Sequence, residues 1–236
     1  MKYMVLVPDG MADYPVKELG DRSPLEVSHK DNMDFLAQNG QTGFVKTIPQ
    51  GVPPGSDVAN LSILGYDPLK YYTGRGPLEA ANLGIELGDD DIALRCNLIT
   101  AEGDTLVDYS AGHITTKEAG VLIKSLGEKL GSDKIKFYPG VSYRHIMMMK
   151  EDPQIDLTAI RCMPPHDIMG WSIQKNLPKG KGADRLIDLM EKSKAILAQH
   201  EINQVRIDLK ENPANMIWLW GQGRKPALPK FTERFK

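Results

Sequence analysis

Residues 53–68 read PPGSDVANLSILGYDP, and this order predicts a rigid approach, a sharp turn and a short helix. Pro53 and Pro54 fix their φ angles before the turn, and Gly55 can adopt conformations that other residues avoid. Ser56 therefore comes at the helix start, where unpaired backbone N–H groups attract an anion. A serine there is more commonly an ordinary N-cap that accepts a hydrogen bond from the next turn. The stretch alone leaves both interpretations open.

The composition limits the class of protein. The chain has 236 residues, of which 41% are hydrophobic, and a formal net charge of −2. A chain of this size can bury a core as one large domain or two small ones. The nearly neutral charge argues against nucleic-acid binding, and no apolar run is long enough to cross a bilayer. Because Cys96 and Cys162 suit neither a disulfide framework nor a zinc site, we expect buried free thiols and a cytoplasmic protein.

The first 84 residues alternate between predicted strands and helices. Residues 4–7 form a continuous apolar run, which is typical of a strand buried on both faces of a parallel sheet. Residues 31–39 predict a helix, and residues 42–48 predict a second strand. Asp9 follows the first run at the carboxyl end of its strand, where ligands collect in open α/β sheets. An Asp-Gly pair is usually a turn, but a divalent metal would also accept a carboxylate oxygen there.

The pattern changes near residue 85. Strands are predicted at residues 92–99, 105–109, 134–138, 143–149 and 216–220. Thr115 and Glu118 form a capping-box pattern ahead of one helix, and a long helix is predicted at 183–200. We therefore predict an α/β fold: residues 1–84 begin a parallel-sheet domain, residues 85–213 are an inserted α+β domain, and residues 214–236 return toward the first domain. The tail from residue 226 has no predicted partner.

Seven polar residues are candidates for binding, and six of them, all except Arg75, would be energetically unfavourable in their segment unless they bind something. The seven are Arg75, Arg95, His113, Arg144, His145, His166 and Asp167. Arginine binds phosphate and carboxylate groups bidentately, and histidine exchanges protons near neutral pH. Each also has an ordinary explanation, such as a helix cap for His113, a turn for His166 and Asp167, or a surface loop for Arg75. Together they favour a small anionic substrate.

Several motifs together resemble the archaeal-type cofactor-independent phosphoglycerate mutases. The motifs are VPDGMAD at 7–13, PGSDVANLS at 54–62, GYDP at 65–68, TGRG at 73–76, YRH at 143–145, PPHD at 164–167 and WLWGQG at 218–223. They run through the whole chain in the family's order. The resemblance implies a metalloenzyme of the alkaline phosphatase superfamily that interconverts 3-phosphoglycerate and 2-phosphoglycerate, and it implies an alkaline-phosphatase-like domain for the predicted parallel sheet.

The resemblance also implies roles for individual residues. Ser56 would be the nucleophile that takes up the phosphoryl group. Asp9 and Ser56 would be ligands of two divalent metal ions, manganese, magnesium or zinc, which lower the serine pKa and neutralise charge. The seven polar residues named above would contact the substrate, a small phosphorylated carboxylic acid. The sequence does not indicate an oligomeric state.

The chain departs from the family in one respect. Full-length members continue past this point, and their continuation supplies most metal ligands, so we expect a C-terminally truncated product with negligible turnover. One alternative is a homoserine kinase-like phosphotransferase, a label given to some bacterial members, although the chain has no Walker pattern or kinase glycine loop. Another is a non-catalytic binding fragment, because two ligands alone hold metals poorly.

Overall fold

The computed structural model describes residues 4–152 and 154–235. The chain forms two compact units, Met1–Lys46 and Thr47–Lys236. The first unit contains a 3₁₀ turn at Lys17–Leu19 and two helices, α1 (Pro24–Val27) and α2 (Asp31–Asn39). Helix α1 starts with a capping box, in which Ser23 and Glu26 each accept a hydrogen bond from the other's backbone N–H. Helix α2 confirms the predicted helix at residues 31–39.

The two strands predicted in the N-terminal part are wrong. Residues 4–7 and 42–48, all of them described, form no strand, and their apolar side chains are mostly exposed, with Met4 at 91% and Val45 at 79%. A short apolar run is compatible with a buried strand, but it does not supply the neighbouring strands that pair its backbone and cover its faces. The parallel sheet expected for residues 1–84 is therefore absent from the described residues.

The second unit contains most of the regular structure. Its helices are α3 (Ser56–Ile63), α4 (Pro68–Tyr71), α5 (Arg75–Asn82), α6 (Thr116–Leu130), α7 (Ile173–Asn176), α8 (Ala183–Ala198), α9 (Glu201–Asp208) and α10 (Phe231–Arg234). Its strands are β1 (Asp91–Glu102), β2 (Thr105–Asp108), β3 (Ile135–Val141), β4 (Arg144–Lys150) and β5 (Met216–Arg224). Two 3₁₀ turns lie at Leu157–Ala159 and Pro165–Asp167. The strands predicted from residue 92 onward are thus confirmed.

The described residues form a five-stranded antiparallel sheet organised around β1. The order is β2-β1-β4-β3. In addition, β5 pairs with β1 along the edge opposite to β4. The last predicted strand, β5, joins this sheet through β1, and the return of residues 214–236 toward the first domain stays a prediction. Whether residues 85–213 form an inserted domain remains a prediction.

Successive side chains of β1 point to opposite faces of the sheet. Leu94 and Cys96 belong to the main core, which includes side chains of α6 and α8. Ala93 packs with Ala80 of α5 in a second, smaller cluster on the other face. Because side chains alternate along a strand, Arg95 lies on the same face as Ala93, under α5. The sheet is therefore covered by helices on both faces.

Trp218 is the largest fully buried side chain of the core. It is 0% exposed, and its indole Nε1 donates a hydrogen bond of 2.8 Å to the Met163 carbonyl. It lies on β5 opposite Asn97 of β1. Trp218 thus fixes β5 both by packing and by one directional contact to the loop before the Pro165–Asp167 turn.

The loop before α6 is held by Arg206 of α9. This buried guanidinium contacts Glu118 at 3.1 Å and Glu211 at 3.0 Å, and it donates to the Ala111 carbonyl at 2.9 Å. Thr115 and Glu118 form the predicted capping box. Because Arg206 joins the cap of α6 to the loop around residue 111, it also sets the position of the adjacent His113.

The tail packs against α3 and α4, contrary to the expectation that it has no partner. Arg234 donates to the Gly65 carbonyl at 3.0 Å, and the Pro229 carbonyl accepts from the Tyr66 hydroxyl at 2.8 Å. The rings of Phe231 and Phe235 lie near Tyr66. The tail is held by aromatic rings and one arginine. Periodicity alone does not reveal such contacts in so short a segment, which explains why the sequence predicted no partner.

Both cysteine thiols are free, as the sequence predicts. Cys96 is buried and Cys162 is partly buried. Burial raises the pKa of each thiol to about 12.

Among the described residues, no helix combines the length and the hydrophobicity needed to span a bilayer.

Candidate functional site

Ser56 is the first residue of α3, as the sequence predicts. The N-cap position belongs to Gly55, whose extended backbone has φ −170° and ψ 148°. Ser56 is therefore not the capping residue, which argues against the ordinary interpretation of the motif. Its neighbour Asp57 accepts a hydrogen bond of 2.6 Å from the Tyr72 hydroxyl. The serine thus begins a helix whose first turn is tied to the segment before α5.

Asp9 lies in the first unit, whereas Ser56 lies in the second. The Asp9 backbone N–H donates to the Val7 carbonyl at 3.0 Å, within a turn rather than at a strand end. Among the described residues, no group of three or more His, Cys, Asp or Glu side chains could hold a metal ion. The described residues therefore do not form a metal centre by themselves, and the roles of Asp9 and Ser56 as metal ligands stay a prediction.

Two of the predicted arginines meet at one carboxylate. Arg75, the first residue of α5, donates from Nε to Glu79 Oε1 at 2.9 Å, and Arg95 Nη1 pairs with the same oxygen. Arg75 and Glu79 are four residues apart on the helix, a spacing that brings side chains together. Arg95 reaches Glu79 from β1, and its side chain is only 2% exposed. Two positive charges therefore share one negative charge.

Trp220 forms the floor beneath both guanidinium groups. The Cζ atoms of Arg95 and Arg75 lie 5.1 and 5.5 Å from its ring, which places both in cation–π range. Asn97 Oδ1 accepts from Trp220 Nε1 at 3.1 Å and from Arg95 Nη2 at 3.2 Å. The buried amide thereby fixes the tryptophan and the arginine relative to each other. We call Arg75, Glu79, Arg95, Asn97 and Trp220 the arginine site.

The electrostatics of the arginine site favour an anion. Burial lowers the pKa of Arg95, the Glu79 carboxylate raises it again, and the charges of Arg75 and Arg144 lower it. Within the site, two guanidinium groups face one carboxylate. In addition, the buried Arg95 Nε has no hydrogen-bond partner among the described residues. Because unpaired buried donors and uncompensated buried charges are costly, an anionic ligand would stabilise this arrangement.

His166 extends the arginine site on the tryptophan side. The centroid of its ring lies 5.4 Å from that of the Trp220 ring. The carboxylate oxygen Oδ1 of Asp167 lies 3.7 Å from His166 Nε2. Burial lowers the pKa of His166, Asp167 opposes this, and the charges of Arg75 and Arg95 lower the pKa further. His166 is therefore a neutral imidazole at pH 7, which can both donate and accept a hydrogen bond.

A row of rings leads from His166 to the remaining candidates. Tyr109 lies 6.1 Å from His166 and 5.7 Å from Tyr143, as measured between ring centroids. Tyr143 in turn lies 6.4 Å from the ring of His113 and 5.7 Å from Arg144 Cζ. Arg144 pairs with Asn97 across the strands, so it points to the same face as the arginine site. His113 and Arg144 thus stand at the far end of one continuous row.

His145 is not brought together with these residues. It lies opposite Cys96 in the β1–β4 pairing, which places it on the face of the main core. The side chain is buried, and its Nδ1 accepts from the Gly140 N–H at 2.9 Å. Burial, together with the charge of Arg95, lowers its pKa to about 3. The structure therefore gives no support to the predicted substrate contact of His145.

Sequence reasoning missed five residues that shape the site. They are Glu79, Asn97, Tyr109, Tyr143 and Trp220. Two of them had a local indication: Glu79 follows Arg75 at the helical spacing of four, and Asn97 follows Arg95 at the strand spacing of two. The others had no such indication: Tyr109 follows β2, Tyr143 precedes β4 and Trp220 lies on β5, so they come together only through the pairing of these strands with β1.

Comparisons with known proteins identify sequences that are similar to this chain. A family model described as 2,3-bisphosphoglycerate-independent phosphoglycerate mutase matches residues 37–203. A mutase of that name from Methanosarcina barkeri is 50% identical over 236 residues, and one from Methanothermobacter thermautotrophicus is 51% identical over 236 residues. Each alignment covers the whole of this chain and 58% of the relative, so the chain spans less than two thirds of the length of the curated relatives it matches.

Two solved structures are also similar. The PH0037 protein from Pyrococcus horikoshii is 30% identical with a TM-score of 0.64, over 96% of this chain and 52% of that one. The cofactor-independent phosphoglycerate mutase from Thermoplasma acidophilum is 29% identical with a TM-score of 0.57, over 95% of this chain and 59% of that one.

Proposed function

Because the chain belongs to the 2,3-bisphosphoglycerate-independent phosphoglycerate mutase family, we propose that it interconverts 3-phosphoglycerate and 2-phosphoglycerate through a phosphoserine at Ser56. The observation that carries this proposal is the buried Arg95 guanidinium, which shares one carboxylate with Arg75 and has an Nε donor without a partner in the described part of the chain. Such a group suits a substrate that brings its own negative charge into the site.

The proposed reaction has two halves that mirror each other. Ser56 Oγ attacks the phosphorus of 3-phosphoglycerate, the bond between phosphorus and the C3 oxygen breaks, and the C3 oxygen takes up the proton that the serine gives up. The C2 hydroxyl oxygen then attacks the phosphorus of the phosphoserine, the bond between phosphorus and Ser56 Oγ breaks, and Ser56 recovers the proton that the C2 hydroxyl gives up. Atoms and charges balance, because the phosphoryl group only changes its position on glycerate.

The glycerate must stay bound while the phosphoryl group rests on Ser56. We assign this task to the arginine site, where Arg75 and Arg95 would hold the carboxylate. The neutral His166, together with His113 and Arg144 at the far end of the ring row, would contact the hydroxyl and phosphoryl groups. Asp167 would orient His166. Retention of the intermediate is what distinguishes a mutase from a phosphatase.

Two divalent metal ions, with Asp9 and Ser56 among their ligands, remain part of the proposal. When bound, they would lower the pKa of the serine hydroxyl and neutralise charge on the phosphoryl group. The described residues contain no group of three or more His, Cys, Asp or Glu side chains that could hold a metal ion, so further ligands would be needed. The free thiols Cys96 and Cys162 fit a reducing compartment, so we propose a cytoplasmic location.

An enolase-coupled assay of the full gene product with 3-phosphoglycerate and manganese tests the proposal. We expect turnover without added 2,3-bisphosphoglycerate. ATP-dependent phosphorylation of homoserine without any mutase turnover would instead favour the kinase-like alternative and overturn the proposal.

Replacing Arg95 with methionine should weaken the binding of 3-phosphoglycerate by about 10- to 100-fold. The substitution keeps most of the side-chain volume but removes hydrogen bonds to a charged ligand, each of which contributes about 1.5–3 kcal/mol. Isothermal titration calorimetry measures the loss. Arg185→Met is the matched control, because Arg185 pairs with Asp152 at 2.6 Å on the surface and lies outside the arginine site.

The Arg95→Met variant needs an independent measure of folding, because Arg95 is buried. Circular dichroism provides it, and Arg75→Met supplies a second, half-buried position in the same site. Unchanged affinity in both folded variants would show that the arginine site does not bind the substrate.

A further inference from the structure

A hydrogen bond joins the first turn of α3 to the segment that leads into the arginine site. The Tyr72 hydroxyl donates to Asp57 Oδ2 at 2.6 Å. Asp57 directly follows Ser56, and Tyr72 comes three residues before Arg75. We propose that Tyr72 is a positioning residue, which through Asp57 fixes Ser56 at a set distance from the arginine site. This inference rests on the proposed function.

One oxygen atom of the Asp57 carboxylate is hydrogen-bonded, and the other lies close to Gly55. Oδ2 accepts from Tyr72, whereas Oδ1 lies against Gly55, at a place where a Cβ on residue 55 would overlap it. The backbone of Gly55 is extended, so a side chain at position 55 would meet no φ strain but would displace the Asp57 carboxylate. The turn before Ser56 thus leaves room for the Asp57 side chain to fold back toward it.

The Tyr72 end of this connection is anchored to the sheet. Thr73 Oγ1 donates to the Arg224 carbonyl of β5 at 2.6 Å. Gly74 has a φ of 141°, and a Cβ there would overlap the Gln222 carbonyl. A Cβ on Gly76 would meet backbone atoms of Ala93 and Leu94 on β1. The backbone from residue 73 to 76 therefore lies directly on β5 and β1, without space for adjustment.

Helix α3 has little packing of its own that could replace the hydrogen bond. It has eight residues, of which only Val58 and Leu61 are buried. Leu61 belongs to the small cluster with Tyr66 and Tyr71 near the far end of the helix. Val58 anchors the first turn by packing, and Asp57–Tyr72 is the polar contact that joins this turn to the rigid segment.

The Tyr72 hydroxyl remains a donor throughout the range in which enzymes are assayed. Burial and the adjacent Asp57 both raise the pKa of Tyr72 far above its ordinary value. The hydrogen bond therefore does not change with pH near neutrality. What it fixes is a distance, and phosphoryl transfer is sensitive to distance, since a misplacement of about 1 Å can cost about 100-fold in rate.

The test is Tyr72→Phe in the full gene product, which removes the hydroxyl and keeps the ring. We expect kcat for 3-phosphoglycerate to fall by about 10- to 100-fold. KM should stay within about twofold of wild type, because the arginine site keeps all its contacts. Tyr66→Phe is the matched control: it removes a tyrosine hydroxyl bonded to the Pro229 carbonyl at 2.8 Å, outside this connection, and should leave kcat unchanged.

Variants of Asp57 separate positioning from general stability. Asp57→Asn keeps an oxygen acceptor for Tyr72 and should retain more turnover than Asp57→Ala. Combining Tyr72→Phe with Asp57→Ala should cost no more than Asp57→Ala alone, since both remove the same contact. A kcat of Tyr72→Phe equal to wild type, or a rise of KM as large as the fall of kcat, would overturn the inference.

One readout does not require turnover and so separates this inference from the proposed function. The amide of Ala59 donates to the Gly55 carbonyl at 3.0 Å in the first turn of α3. Its hydrogen exchange should be faster in Tyr72→Phe than in wild type and in Tyr66→Phe. Unchanged exchange would reject the positioning role even if the enzyme is active, whereas an inactive wild type with the expected exchange would reject only the mutase assignment.

Discussion

Replacing Ser56 with alanine is expected to lower the mutase turnover of the full gene product by about 10⁴- to 10⁶-fold, as removal of a catalytic nucleophile does elsewhere. Alanine has no oxygen that could take up the phosphoryl group, so both halves of the proposed reaction stop. The enolase-coupled assay measures the loss. Mass spectrometry of the wild-type protein after brief exposure to substrate should show a phosphoryl group on the peptide containing Ser56, and the variant should not.

Ser62 provides a matched control on the same helix. Its hydroxyl donates to the Thr47 carbonyl at 2.6 Å, so Ser62→Ala removes a hydroxyl of α3 without touching its first turn. We expect full turnover and a loss of stability of about 1 kcal/mol. Substrate affinity of Ser56→Ala should remain close to wild type, because the arginine site is intact. Substantial turnover of Ser56→Ala would contradict the phosphoserine mechanism.

Replacing Trp218 with alanine is expected to lower the free energy of unfolding by about 3–5 kcal/mol, the usual cost of deleting a large buried aromatic side chain. The indole is fully buried, and its loss also leaves the Met163 carbonyl without its donor. Urea denaturation followed by circular dichroism measures the change. Because Trp220 lies two residues further along β5, the arginine site should lose affinity as the strand loosens.

Trp171 is the matched control for Trp218. Its side chain is 59% exposed, so Trp171→Ala should change the free energy of unfolding by no more than about 0.5 kcal/mol. Equal losses in the two variants would mean that Trp218 is not part of a close-packed core.

The strands from residue 92 onward and the helices α6 and α8 follow from local sequence patterns, whereas α7, α9 and α10 were not predicted. Alternation and apolar runs located β1 and β5, and the Thr115–Glu118 box located the start of α6. The N-terminal strands failed because an apolar run indicates burial and not the partner that provides it. The place of β5 could not be predicted either, since the partner of a strand depends on contacts distant in sequence.

The site was predicted residue by residue but not as an arrangement. Arg75, Arg95 and His166 were recognised as polar groups that suggest ligand binding, and in the structure all three lie next to the ring of Trp220. His145 was grouped with Arg144 because the two are adjacent in sequence. On a strand, adjacency means opposite faces, and only the pairing with β1 shows which face each side chain takes.

The alternation along β1 makes this strand intolerant of any change in its length. Leu94 and Cys96 belong to the core, while Arg95 and Asn97 belong to the arginine site. A single-residue insertion before Leu94 would exchange the two sets, so that a guanidinium would enter the apolar interior and the thiol would face the ligand. Folding and recognition would then fail together, and natural length variation should be confined to the turns at either end of this strand.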